Sequence, residues 1–230
     1  MLSAVIFDFD GIIVDTEPIH CEAFREVLGP HGVKFTWEEY LETYVGYDDR
    51  DAIQAAFASL GQEVDVDQLL ELIELKSAAF DRLVVERGAE PYPGVCEFIA
   101  RLSRDVPIGL CSGALGSDVR PILHALELED AFKVMVTADE VKTSKPDPES
   151  YVLAVERLAA AYPDHEIVAG RSVAIEDTPA GIQAARGAGL SVLAVTNSYK
   201  AERLGEATRV VDTLEGLDAA DLATCLNLSV

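Results

Sequence analysis

Apolar and polar residues along the 230-residue chain follow three successive patterns. The chain opens on a short run of β-branched and aromatic residues, which is typical of a buried parallel strand. Residues 16–90 then carry apolar positions at helical spacing, and no β-rich run interrupts them. From residue 91 onward, short apolar runs alternate with helical stripes. The pattern therefore predicts a helical segment inserted after the first strand of an α/β domain.

Four apolar stripes predict four amphipathic helices within residues 16–90. Thr36 followed by Glu39 predicts a capping box, and Gly61 suits the end of a helix. With no strand between them, these helices should form a small bundle. The stripes are Ile19, Ala23, Phe24 and Val27; Trp37, Tyr40, Leu41, Tyr44 and Val45; Ile53, Phe57 and Leu60; and Leu72, Leu75, Ala79 and Leu83.

The proline- and glycine-rich residues 91–94 mark the return to an α/β pattern. Asp147-Pro148 and Thr178-Pro179 each predict a helix start, with Asp or Thr as N-cap and Pro at the first helical position. Strands that alternate with helices over short connections imply a parallel sheet with right-handed crossovers. The predicted strands cover residues 106–111, 133–136, 172–175, 192–195 and 210–211.

The predicted fold class is therefore α/β, a Rossmann-like parallel sheet with an inserted all-helical domain. The core domain should comprise residues 1–15 and 91–230, and the helical domain residues 16–90. A chain of this length can bury one sizeable core and a second, smaller one.

Composition indicates a soluble globular protein, because 49% of the residues are hydrophobic but no long uncharged apolar run is present. The first residues resemble no secretory signal, so we expect a cytoplasmic location. The cysteines are scattered without metal-ligand spacing, which argues against a zinc site and a disulfide framework. They are expected to be small buried residues in a reducing compartment: Cys21, Cys96, Cys111 and Cys225.

The formal charge of −23 disfavours nucleic acids and anionic membranes as partners. It would also repel an anionic substrate. Salt confines that repulsion to about 8 Å, so a bound cation and a few lysines can overcome it locally. The charge therefore predicts dependence on a divalent metal.

Two carboxylates, Asp8 and Asp10, stand at the end of the first predicted strand. Alternation along a strand would place both on one side before Gly11 turns the chain. They repel each other unless a cation lies between them. Asp8 is then a candidate nucleophile that takes up a phosphoryl group, Asp10 a candidate acid and base, and magnesium a candidate cofactor. In the plainer interpretation, Asp10-Gly11 is only a turn and Asp8 caps a helix.

The run from Asp8 to Pro18 resembles the first motif of the haloacid dehalogenase superfamily of phosphohydrolases, Asp-x-Asp-Gly-x-x-x-Asp-Thr-Glu-Pro. Three later strand ends resemble the other motifs of that family, in the same order. The resemblance covers nearly the whole chain. It implies an aspartyl phosphate on Asp8, proton transfer by Asp10, and Mg²⁺ as cofactor.

The later motifs supply the remaining groups that the family uses. Ser112 and Gly113 follow a strand and can hold phosphate oxygens. Lys145 would neutralise the phosphate and steady Asp8. Asp177 would complete the magnesium site with Asp8 and the main-chain carbonyl of Asp10, and Glu176 would support it.

Each of these motifs also has a purely structural interpretation. Ser112-Gly113 can be an ordinary turn, and Lys145 a solvated loop lysine. Asp177 or Thr178 can simply cap the helix that follows. The order of the motifs favours the functional interpretation.

The helical insert resembles the cap of small sugar-phosphate and phosphoglycolate phosphatases and of β-phosphoglucomutase. Thr16 resembles the hinge position, and His20 and Lys76 match cap residues that face the active site in the mutase. Gly46 and Arg50 resemble the mutase's substrate loop, with the arginine displaced by one residue.

Two features of this segment keep other interpretations open. Where the mutase has a lysine before the glycine of that loop, this chain has Val45. His20 can equally be a core histidine, and the amine of Lys76 can reach out to water.

The resemblance implies a magnesium-dependent phosphatase acting on a small phosphorylated metabolite, such as a sugar phosphate, without an obligate protein partner. A β-phosphoglucomutase-like mutase is the first alternative. A non-enzymatic phospho-acceptor, such as a receiver domain, would need neither the insertion nor Asp10. A 2-haloacid dehalogenase would use Asp8 on carbon and would not need Asp10.

Overall fold

The computed structural model describes residues 1–45 and 47–226, and these separate into two compact units. The first unit, here the sheet unit, runs to Val14 and resumes at Pro91. The second, the helical unit, is Asp15–Glu90.

Helices account for the regular structure of the described part of the helical unit. Three of them begin at side-chain caps: Thr36 forms the predicted capping box with Glu39, and Asp48 and Asp65 each accept a main-chain N–H three residues on. The helices of this unit are α1 Glu17–Leu28, α2 Trp37–Thr43, α3 Asp49–Ser59 and α4 Val66–Arg87.

Strands and helices alternate through the sheet unit, as the sequence predicts. The strands are β1 Ala4–Phe7, β2 Ile108–Cys111, β3 Val134–Val136, β4 Ser172–Glu176, β5 Ser191–Val195 and β6 Arg209–Val211. The helices are α5 Val95–Leu102, α6 Gly116–Ala125, α7 Glu149–Ala161, α8 Pro179–Gly187 and α9 Ala219–Ala223.

The strands form one parallel sheet in the order β3-β2-β1-β4-β5-β6. The predicted α/β fold is confirmed. From β1 the chain moves to β2 and β3 on one side and then crosses to β4 on the other. In open parallel sheets such a reversal opens a crevice at the carboxyl ends of the two strands beside it. Residues that follow β1 and β4 therefore meet at that crevice.

The sheet is anchored by fully buried apolar side chains. Phe7, at the end of β1, is fully buried and makes edge-to-face contacts with Phe98 and Phe132. The ring centroids are 6.0 and 5.8 Å apart. Aromatic pairs in this geometry add about 0.5–1.5 kcal/mol beyond burial. This packing holds the carboxyl end of β1 in place, and Asp8, a residue of the candidate site, follows directly.

The two predicted proline helix starts differ in detail. Thr178 is the N-cap of α8, and its hydroxyl accepts the N–H of Gly181. Asp147 accepts the N–H of Glu149, but α7 begins one residue later than predicted, with Pro148 at the N-cap. The proline therefore precedes the helix at this start.

The buried stripe of α4 also differs from the predicted one. Leu75 is half exposed, whereas Lys76 is 1% exposed and lies with Leu72, Phe80 and Leu83 on the buried side. A lysine takes the position predicted for a leucine because acidic and aromatic partners surround its amine in the same unit. Hydrophobicity alone could not predict this exchange.

Across residues 1–45 and 47–226, no helix has the length and apolar character needed to cross a membrane.

Replacing Phe7 by Ala should lower the free energy of unfolding by about 3–5 kcal/mol, because it removes a fully buried ring and its two aromatic contacts. Urea denaturation followed by circular dichroism would measure the change. Val85→Ala is the control, since Val85 is 86% exposed and should change stability by less than about 0.5 kcal/mol. A Phe7→Ala protein as stable as the control would contradict this account of the core.

Candidate active site

Asp8 and Asp177 are brought together by adjacent strands. Asp8 follows β1 directly, and its N–H donates to the carbonyl of Ile175 in β4 at 2.9 Å. Asp177 follows the last residue of β4. Both carboxylates are buried, at 7% and 0% exposure. The crevice predicted by the strand order therefore holds two buried acids.

Asp10 reaches this region by a different route from the predicted one. The strand ends at Phe7, so side-chain alternation does not place Asp10. Instead the chain folds into a tight turn in which Ile13 N–H donates to Phe9 O at 2.8 Å and Gly11 N–H to Val14 O at 2.9 Å. Gly11 adopts a left-handed φ of 76°, which glycine tolerates best. The charge of Asp10 still lies close enough to raise the pKa of Asp8 slightly.

The ammonium of Lys145 joins the residue that follows β1 to the last residues of β2 and β4. Its Nζ donates to Asp8 Oδ1 at 2.8 Å, to Glu176 Oε1 at 2.7 Å and to the carbonyl of Cys111 at 3.3 Å. An ammonium has three protons, and these contacts use all of them. The solvated-loop interpretation of Lys145 is therefore wrong.

Glu176 is fully buried and accepts five hydrogen bonds. Oε1 accepts from Lys145 and from the hydroxyl of Tyr151, at 2.7 and 2.9 Å. Oε2 accepts from the N–H of Asp177, the N–H of Thr178 and the hydroxyl of Thr178, at 3.1, 3.3 and 3.1 Å. Because both of its oxygens accept these hydrogen bonds, Glu176 is suited to hold Lys145, Asp177 and Thr178 in position.

Tyr151 was not identified from the sequence. It lies on α7, six residues after Lys145, and is fully buried. Its ring lies 5.2 Å from the Lys145 amine, in cation–π geometry. A tyrosine on an otherwise apolar helix face was the available signal, because a buried phenol normally has a hydrogen-bond partner.

The electrostatics of the cluster follow from burial. Burial raises the pKa of Asp8 to about 8, and Glu176 adds to the rise although Lys145 opposes it. Burial opposes the charge on Lys145, but Asp8 and Glu176 more than compensate and raise its pKa. Burial and the two carboxylates likewise raise the pKa of Tyr151, so its hydroxyl keeps its proton and acts as a donor.

The carboxylates of Asp8, Glu176 and Asp177 form a group able to hold a divalent cation. One oxygen from each lies within 4.8 Å of the others. Three carboxylates and one ammonium, that of Lys145, carry a formal charge of −3 + 1 = −2. All three offer oxygen, the ligand that magnesium and calcium prefer. The donor set therefore fits a hard divalent cation.

Gly11 leaves room for this group. A Cβ added to Gly11 would lie 1.9 Å from Asp177 Oδ2. The main-chain carbonyl of Gly11 accepts a hydrogen bond from the side chain of Asn197 at 2.6 Å, a supporting contact that no sequence motif indicates. Asn197 follows β5 and so extends the site to the end of a fourth strand, besides β1, β2 and β4.

Ser112 and Gly113 lie beyond the end of β2, as predicted. Ser112 is buried, and its hydroxyl oxygen accepts the N–H of Ala114 at 2.9 Å. This hydrogen bond is the kind expected if Ser112-Gly113 forms an ordinary turn. Gly113 is exposed, and a Cβ there would meet no other atom within 4 Å. Cys111 donates to the carbonyl of Ser150, and burial raises its pKa to about 12, which makes it a poor nucleophile.

The other predicted site residues belong to the helical unit. Thr16 is buried at the N-cap of α1, and Arg50 is exposed in the first turn of α3. Gly46 lies outside the described residues. Nδ1 of His20 lies 2.8 Å from the amine of Lys76.

Lys76 is held between an acid and two aromatic rings. Its amine lies 2.6 Å from Asp49 Oδ1, 5.0 Å from the ring centroid of Phe24 and 5.1 Å from that of Phe80. The His20 ring stacks on Phe80 at 4.2 Å. The alternative interpretation, in which the amine of Lys76 reaches out to water, is wrong, because the side chain is buried. A buried lysine needs such partners.

The sequence profile of the haloacid dehalogenase-like hydrolase family matches residues 5–195. The chain belongs to this family, as the motifs predicted. It is 32% identical over 191 residues to the phosphorylated carbohydrates phosphatase of Thermotoga maritima, with 82% of each chain covered. It is 31% identical over 193 residues to the fructose-1-phosphate phosphatase YqaB of Escherichia coli, with 84% of this chain and 96% of that one covered.

A solved structure has the same fold over nearly the whole chain. CbbY from Rhodobacter sphaeroides, in complex with xylulose 1,5-bisphosphate, superposes with a TM-score of 0.83. The two chains are 26% identical, and 96% of this chain and 99% of that one are covered. Membership of a hydrolase family favours an enzyme over a non-enzymatic phospho-acceptor.

Replacing Gly11 by Ala should weaken divalent-cation binding by about 10-fold or more, because the new methyl group would displace the Asp177 carboxylate. Isothermal titration calorimetry with magnesium would measure it. Gly216→Ala is the matched control: Gly216 also has a positive φ, of 79°, but a Cβ there meets no atom within 4 Å. Equal magnesium affinity in the two variants would show that the space at Gly11 is not needed.

Proposed function

We propose that the protein is a magnesium-dependent phosphatase that hydrolyses a small phosphorylated metabolite of the sugar-phosphate class through an aspartyl phosphate on Asp8. The observation that carries the proposal is the buried Asp8 carboxylate, held at 2.8 Å by Lys145 beside Asp177, at the carboxyl ends of β1 and β4. The relatives named phosphatases of carbohydrate phosphates support the choice of substrate.

In the first half of the reaction, an oxygen of Asp8 attacks phosphorus and the bond from phosphorus to the leaving oxygen breaks. Asp10 gives its proton to that leaving oxygen, which departs as an alcohol. In the second half, Asp10 takes a proton from water as the water attacks phosphorus. The bond to Asp8 then breaks, which releases inorganic phosphate and restores the carboxylate.

Asp8, Asp177 and the main-chain carbonyl of Asp10 would hold magnesium. Glu176 would support this site, because its carboxylate accepts the main-chain N–H of Asp177. When bound, magnesium would offset the negative charge of the carboxylates and the phosphate. Lys145 supplies one further positive charge beside Asp8.

Ser112 and Gly113 would bind the phosphate oxygens. The Ser112 oxygen already accepts from Ala114, which leaves its own proton for donation to a phosphate. Gly113 is an exposed residue, and its N–H would donate beside the Ser112 hydroxyl. A hydroxyl and main-chain N–H groups in one turn are suited to a dianion.

We propose further that the helical unit acts as a cap that selects the leaving group. Thr16 would be its hinge, since the division between the two units falls after Val14. Arg50, His20, Lys76 and Gly46 would contact the substrate. The partner in this account is a small phosphorylated metabolite.

The ion pair of Lys76 favours hydrolysis over mutase chemistry. A mutase that turns a sugar bisphosphate around must bind the phosphate that is not reacting, which calls for cationic groups. The charge of Lys76 is already balanced by Asp49 at 2.6 Å, and Val45 stands where the mutase has a lysine. We therefore rank the phosphatase first and the mutase second.

Asp8→Asn should abolish release of phosphate from p-nitrophenyl phosphate while the protein stays folded, because the amide keeps the shape but is not a nucleophile. Asp10→Asn should slow turnover by about 10²–10⁴-fold through loss of proton transfer.

Chelation with EDTA should stop the wild-type reaction, and magnesium should restore it.

Asp105→Asn is the control for these two variants, because it makes the same change at an exposed aspartate. Its turnover should equal that of the wild type. Wild-type turnover by Asp8→Asn, or full activity in excess EDTA, would refute the mechanism. Halide release from a 2-haloacid without phosphate release would instead identify a dehalogenase.

Incubation with β-glucose 1-phosphate, magnesium and a catalytic amount of the sugar bisphosphate should release inorganic phosphate as the main product. Phosphate is measured colorimetrically and glucose 6-phosphate by a coupled dehydrogenase. Efficient conversion to glucose 6-phosphate with little free phosphate would reverse the ranking of phosphatase and mutase.

A further inference from the structure

The hydroxyl of Tyr151 is a polar group in an apolar core. The side chain is fully buried and lies in the same cluster as Cys111, Ala154, Leu158 and Ala174. A phenylalanine would supply nearly the same apolar surface without a polar atom to satisfy. The hydroxyl therefore needs a reason beyond packing, and its contact with Glu176 Oε1 at 2.9 Å provides one.

Glu176 connects two parts of the site through its two oxygens. Through Oε2 it binds the main-chain N–H groups of Asp177 and Thr178, which fixes the start of α8. Through Oε1 it binds Lys145, which also binds Asp8. The position of Oε1 therefore decides where the ammonium lies relative to Asp8.

The carboxylate of Glu176 lies between α8 and α7. A Cβ added to Gly181 would lie 1.8 Å from Glu176 Oε1, so the carboxylate occupies the space that a side chain at position 181 would fill. On the side of α7, the contact is the Tyr151 hydroxyl. Glycine leaves room for the carboxylate, and tyrosine holds it by a hydrogen bond.

Tyr151 and Lys145 share one oxygen of Glu176. A carboxylate oxygen has about two favourable acceptor directions, and here the phenol takes one and the ammonium the other. Without the Tyr151 hydroxyl, the buried carboxylate of Glu176 would lack one donor. The Lys145 ammonium can then move closer to Glu176 and take the place of that donor. That movement draws it away from Asp8, which competes for the same charge.

We propose that Tyr151 is a positioning residue: its hydroxyl holds Glu176 so that the Lys145 ammonium is shared between Glu176 and Asp8. The effect on catalysis rests on the proposed function, because it acts on the carboxylate that attacks phosphorus. It should change the rate of the chemical step more than substrate binding, since Tyr151 is buried behind Glu176 and Lys145.

The kinetic test is Tyr151→Phe, assayed with p-nitrophenyl phosphate at saturating magnesium. We expect kcat to fall about 10-fold, the effect of losing one hydrogen bond to a charged group, while KM stays within about 2-fold. Tyr162→Phe is the matched control, since Tyr162 follows α7 and contacts Lys133 and His165 away from the site. An unchanged kcat for Tyr151→Phe, with or without lower stability, would overturn the proposal.

A double-mutant cycle tests whether Tyr151 acts through Glu176. The kcat of the double variant Tyr151→Phe/Glu176→Gln should be less than about 2-fold below that of Glu176→Gln alone. Glu176→Gln already alters the hydrogen bond between the Tyr151 hydroxyl and position 176, so little of that contact remains for Tyr151→Phe to remove. The full 10-fold loss in the double variant would show that Tyr151 acts independently of Glu176.

A crystallographic test does not depend on activity. In Tyr151→Phe, crystallised under the same conditions as the wild type, the contact of 2.8 Å between Lys145 Nζ and Asp8 Oδ1 should lengthen beyond 3.5 Å, while the contact with Glu176 persists. An unmoved ammonium would refute the positioning role. If the wild type hydrolysed no phosphate ester, the proposed function would fail, and this comparison would still decide the role of Tyr151.

Discussion

The ammonium of Lys145, shared between Asp8 and Glu176, is the contact on which the site depends. It joins the residue after β1 to the last residue of β4, and its third donor reaches the end of β2. Two buried carboxylates so close together would otherwise repel each other, and burial alone disfavours their charges. The loop before α7 must therefore deliver one lysine into the crevice where the strand order reverses.

The other features of the site can be understood as support for that contact. Glycine at positions 11 and 181 lets Asp177 and Glu176 occupy space that a side chain would fill. Thr178 satisfies Glu176 and begins α8 with the same hydroxyl. Each of these residues makes a buried charge tolerable by supplying a donor or by making room, as buried polar groups require.

Much of the fold and the core of the site could be predicted from sequence because both depend on local signals. Apolar periodicity gave the sheet and the helices, and the motifs gave Asp8, Lys145, Glu176 and Asp177. Side-chain alternation failed for Asp10, since the strand stops at Phe7. The partners of Lys76 and Tyr151 could not be predicted, because they depend on packing between elements distant in sequence.

The register of the sheet has a consequence for synthesis of the chain. Val5 of β1 pairs with Ile108, and Ala4 pairs with Ser172, so one neighbour of β1 is made about 100 residues later and the other about 170 residues later. An apolar strand thus leaves the ribosome long before either partner exists. Such non-local pairing slows folding and leaves the nascent strand open to aggregation and to chaperones. Asp8 is synthesised directly after β1, but the cluster to which it belongs is complete only after translation has passed Asp177.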